Sequence, residues 1–77
     1  MNEEAFNLDL RRFLKRFGVT AQREIERAVG ESIESGKLTG NETLSVRAVL
    51  TIPGVLGELR VDGEIGLASP ASREAGA

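Results

Sequence analysis

Few residues of this 77-residue chain have side chains that could do chemistry. There is no His and no Cys, which removes the commonest general base, the commonest transition-metal ligand and any thiolate nucleophile or disulfide. The carboxylates Glu58, Asp62 and Glu64 project from one face of a predicted strand and suggest a divalent-cation site. Arg60 stands among them, and spacing of this kind along an exposed face is ordinary surface solubility. Gly54-Val55-Leu56-Gly57 is a turn and not a phosphate loop, since no Lys-Ser/Thr pair follows and no helix begins there. A carboxylate pair doing acid–base work would need a pocket that so short a chain scarcely encloses. The expectation is therefore no catalytic residue, no metal site, no cofactor and no enzyme activity.

The remaining candidates are contact residues. Arg11, Arg12, Lys15 and Arg16 form the only basic cluster and could meet a phosphate or an acidic partner. A solvated helix face, whose long stems shield the apolar edge, explains them more simply. Glu24, Glu26, Glu31 and Glu34 follow, and the net charge of −2 with pI near 5.1 argues against generic nucleic-acid affinity. A helix–turn–helix followed by a hairpin invites comparison with a winged helix, with Gln22, Arg23 and Arg27 turned outward. The wing would carry Glu58, Asp62 and Glu64, which phosphate repels. Nucleic-acid binding through the basic residues of the two helices is kept as the alternative function.

The elements that position these residues follow from periodicity. Asn2 suits an N-cap, with Glu3 and Glu4 in the first turn, where the helix dipole favours acid. Phe6, Leu10, Phe13, Leu14 and Phe17 then recur at helical spacing and predict a first helix over about 3–17. Leu8 falls on the opposite side, an exposed apolar residue that could mark a contact. Gly18 is read as the stop and Thr20 as a fresh cap, so a second helix is predicted over about 20–35. Its stripe is Ala21, Ile25, Ala28, Val29 and Ile33, and Gly36 ends it. Gly30 sits mid-helix without an evident reason.

From Leu44 the period changes to two. Leu44, Val46, Ala48, Leu50 and Ile52 alternate with an outward set of Thr43, Ser45, Arg47, Val49 and Thr51, which predicts a strand with one covered face. After Pro53-Gly54, a turn dipeptide, the alternation resumes through Leu59, Val61 and Ile65. The predicted strands are about 43–52 and 57–67. Inner residues are even before the turn and odd after it, so paired positions must sum to an odd number. A loop of Pro53 to Glu58 would set Arg47 against Glu64, and a tighter one would set it against Asp62. Asp62-Gly63 could instead turn the chain into a three-stranded meander. Val49 and Leu56 are read as outward residues forming a small apolar patch near the turn. Together with the open sheet edges, this patch predicts self-association, most simply as a homodimer.

Several stretches also carry a family likeness. The run Phe13 to Val29, with Gly36-Lys37-Leu38, Gly40 to Leu44 and Gly63-Glu64-Ile65, resembles a family of short bacterial proteins known only as a domain of unknown function. The likeness spans Met1 to about Ala68. It implies a bacterial, cytoplasmic, stand-alone protein and carries no activity, cofactor or site residue with it.

The sequence thus predicts an α+β domain over 1–67, in the order helix, helix, strand, strand. Both helical stripes should pack on the inner face of the hairpin, and a small polar tail over 68–77 is expected to be disordered. No apolar run reaches the ~20 residues of a membrane span, and the acidic amino terminus lacks the form of a signal peptide. The function expected is a non-enzymatic protein–protein interaction module in the cytoplasm, self-associating through its hairpin edge or outer face.

Overall fold

The computed structural model describes residues 1–71. The expected tail, from 72 onward, lies outside the described residues. The order of elements is one helix, α1 (Glu3–Glu34), then the strands β1 (Thr43–Ile52) and β2 (Leu56–Gly66). The chain divides into two compact units, Met1–Lys37 and a second from Leu38, and each is described by itself.

The first unit corrects the prediction of two helices. α1 runs unbroken through Gly18, Val19 and Thr20 for 32 residues, or about 48 Å at 1.5 Å per residue. Gly18 keeps a negative φ; the positive values fall on Gly36, Gly40 and Gly54. The physical reason lies in the phase of the two stripes. Leu10, Leu14, Phe17, Ala21, Ile25 and Ala28 recur at steps of three or four straight across Gly18, so a single helix carries both stripes on one side. A turn at Gly18 would have broken that continuity. Glycine inside a helix costs at most about 1 kcal/mol against Ala, too little to end a helix with so regular a face.

Both ends of α1 are capped. The Asn2 side chain accepts a hydrogen bond from the Ala5 amide at 3.0 Å, satisfying one of the free donors of the first turn. At the other end the Ser35 amide donates to the Glu31 carbonyl, and Gly36 follows in the left-handed region at φ 86. That conformation favours Gly and terminates the helix.

The second unit is an antiparallel two-stranded hairpin, with β2 continuous through Asp62-Gly63 and no meander. The Val55 amide donates to the Ile52 carbonyl at 2.9 Å. With Pro53 at the second turn position and Gly54 at φ 79 in the third, this is a type II β-turn. Leu44 faces Ile65, Ala48 faces Val61, Leu50 faces Leu59, and Arg47 faces Asp62, so the tighter of the two registers is adopted. Pairing then shifts between Leu50 and Ile52, where Gly57 and Glu58 together stand across from Thr51 and Ile52 pairs with Leu56. This is a β-bulge, one residue more on β2 than on β1. Along β1 the residues Leu44, Val46, Ala48 and Leu50 are half-buried and alternate with exposed neighbours, which matches the predicted inner face.

No side chain among the described residues is buried. The residues expected to form a core are in place on their stripes and faces, but each keeps a substantial exposed fraction.

Candidate interaction surface

The apolar face of α1 is the largest feature of the first unit. Phe6 and Phe13 are each 51% exposed, with Leu10, Leu14, Phe17 and Ile25 also exposed. Phe13 and Phe17 stack with ring centroids 6.4 Å apart, so their rings form one continuous apolar ledge. Leu8 is exposed on the opposite side of the helix and lines up with Val19, two isolated apolar residues among charged ones.

Of the basic cluster, Arg12 reaches the Asp9 carboxylate at 3.9 Å. Arg11, Lys15 and Arg16 make no ion pair within 4.0 Å among the described residues. Arg27, a candidate for phosphate contact, is already committed. It donates to Glu24 at 2.8 Å and to Glu31 at 3.1 Å. The hydrogen bond to Glu24, then its charge, and then the same contributions from Glu31 raise the guanidinium pKa above its ordinary value.

In the hairpin the expected apolar patch is not formed as predicted. Val49, 50% exposed, faces Arg60 across the strands, whereas Leu56 is half-buried and faces Ile52. The bulge at Gly57-Glu58 inverts the alternation of β2, which puts Leu56 on the same side as Leu50 and Ile52 and away from Val49. The three carboxylates of β2 are partly neutralised where they stand. Asp62 accepts from Arg47 Nε at 3.0 Å, and Glu58 lies 3.5 Å from Arg60. Among the described residues, no group of three or more His, Cys, Asp or Glu side chains is placed to hold a metal ion.

One organising residue went unnoticed in the sequence. Glu42, just before β1, accepts from the Thr39 amide at 2.9 Å, the Gly40 amide at 3.0 Å and the Thr39 hydroxyl at 3.2 Å. Its own carbonyl accepts from the Leu67 amide at 2.9 Å, so it ties the linker to both ends of the hairpin. The amide of Thr39, foremost among these donors, holds the carboxyl at about 2. The signal was available: Thr39-Gly40-Asn41-Glu42 is a run of turn-forming residues closed by an acceptor.

The likeness to known proteins fits this picture of a small unit without reaction chemistry. The chain belongs to a family of unknown function, DUF6494. The match spans residues 1–68, which takes in α1, the linker and the whole hairpin. No curated protein and no solved structure matches the chain significantly. No helix among the described residues is long and apolar enough to cross a membrane.

Proposed function

We propose that this member of the family is a non-enzymatic interaction module that self-associates, with the apolar face of α1 as its contact surface. The observation that carries this is the ledge of Phe6, Leu10, Phe13, Leu14 and Phe17, all exposed on one side of a capped helix. A contiguous apolar face of this kind marks an interaction surface in a water-soluble chain. A chain of 77 residues without disulfide or metal gains little from its own core, and oligomerisation is the usual remedy. The open edges of the two-stranded sheet point the same way. The helix face replaces the Val49–Leu56 patch as the surface, because the bulge separates those two residues. Residence in the cytoplasm of a bacterium belongs to the same proposal and is supported by the likeness to short bacterial proteins.

Charge favours a protein over a nucleic acid as the partner. Glu24 and Glu31 flank the apolar face and engage Arg27, which leaves the basic cluster at 11–16 without a continuous cationic track. The test is substitution on the ledge. Leu14→Asp should lower the self-association constant at least tenfold in sedimentation equilibrium, while Leu8→Asp on the opposite side should leave it unchanged. Equal effects from the two would discard the helix face. Titration with labelled duplex at low salt should show no binding; binding that weakens steeply as salt rises would put the basic cluster in its place.

A further inference from the structure

The helix face is not uniform along its length, and its two halves are complementary in both size and charge. The amino-terminal half of the stripe carries the large residues Phe6, Leu10, Phe13, Leu14 and Phe17. The carboxy-terminal half carries Ala21, Ile25, Ala28, Val29 and Ser32, which are mostly small. The charges divide along the same line. Arg11, Arg12, Lys15 and Arg16 are four bases without an acid, whereas Glu24, Glu26, Glu31 and Glu34 are four acids with Arg27 alone among them.

From this we infer that the partner of the α1 face is the α1 face of a second copy, laid antiparallel about a two-fold axis at Ala21. The inference rests on self-association as proposed above and adds its geometry. In this arrangement Phe17 of one copy meets Ile25 of the other, Leu14 meets Ala28, and Phe13 meets Val29. Large residues fill the space left by small ones, as close packing requires. The basic segment of each helix then lies beside the acidic segment of its partner. A parallel, in-register pair would stack Phe13 on Phe13 and Ala28 on Ala28, crowding one end and leaving gaps at the other. It would also set four cations beside four cations, well within the ~8 Å over which charges act at physiological salt. An isologous antiparallel contact closes on itself and gives a dimer, not a filament.

The absence of Cys makes the test clean, since a single introduced thiol is the only site of labelling. Spin labels at Leu8→Cys and, separately, at Glu34→Cys sit near the two ends of α1 and off its apolar face. Sedimentation equilibrium of each labelled protein first establishes the dimer. Pulsed electron-electron distance measurement on Leu8→Cys alone should then give roughly 40 Å, twice the rise from residue 8 to residue 21. An equimolar mixture of the two labelled proteins should add a second population near 20 Å, about two helix radii plus the labels. A short distance in Leu8→Cys alone would mean parallel pairing and overturn the geometry while leaving self-association intact. A dimer lacking the short distance in the mixture would place the contact elsewhere, as between hairpins, and also overturn it. A monomer throughout, with the ledge covered by the chain's own hairpin, would remove self-association itself.

Discussion

At the scale of single residues, the hairpin is fastened at its entry by one carboxylate. Glu42 titrates at about 2 in the folded chain against an ordinary 4.5, so the folded state binds the anion form preferentially. Its contribution is complete above about 4.5 and is lost as pH falls from there through 2. Thr39 and Gly40 amide shifts, followed by NMR against pH, should therefore report an inflection near 2. In Glu42→Gln that inflection should vanish, along with the loss of hairpin stability between 4.5 and 2. The Arg47–Asp62 pair crosses the strands in good geometry but is exposed on both sides, and exposed ion pairs contribute little. Arg47→Ala should thus leave the denaturation midpoint nearly unchanged. Val46→Asp, on the half-buried face beside Leu44 and Ala48, should lower it clearly. Similar effects from the two would reverse the face assignment. That face was legible in the sequence because alternation depends only on parity. The Glu42 clamp was not, since a polar linker reads as generic until the carboxylate is seen meeting two amides.

At the scale of elements, the decisive feature is that α1 is one helix. Gly18→Ala separates the alternatives. In a continuous helix, where a Cβ at Gly18 meets nothing within 4 Å, Ala should stabilise by up to about 1 kcal/mol and raise helical circular dichroism. At a helix-ending turn the same change would destabilise. The open space around a Cβ at Gly30 predicts the same gain there; nothing in the structure explains that glycine. The stripes themselves were readable, and so were the Asn2 cap and the Gly36 stop. The error came from letting a glycine outweigh phase, when the step from Phe17 to Ala21 already continued the pattern. The hairpin was legible to within a residue at its strand ends because Pro53-Gly54 fixes the turn. The bulge was not, because one extra residue on β2 leaves the alternation visible while inverting its sense. Leu56 therefore changed face and the patch with Val49 dissolved.

At the scale of the whole molecule, the exposed apolar face of α1 and the unpaired edges of the hairpin describe a chain built to be covered. Helices of this length draw most of their stability from packing of the apolar face and little from propensity. Self-association and helix content should consequently rise together as concentration increases. The most direct test is sedimentation equilibrium of the unmodified protein from sub-micromolar to high micromolar concentration, with circular dichroism on the same samples. A monomer–dimer equilibrium accompanied by a parallel gain in helical signal is the predicted result. A monomer at every concentration, with full helicity throughout, would contradict the claim that a second copy covers the α1 face.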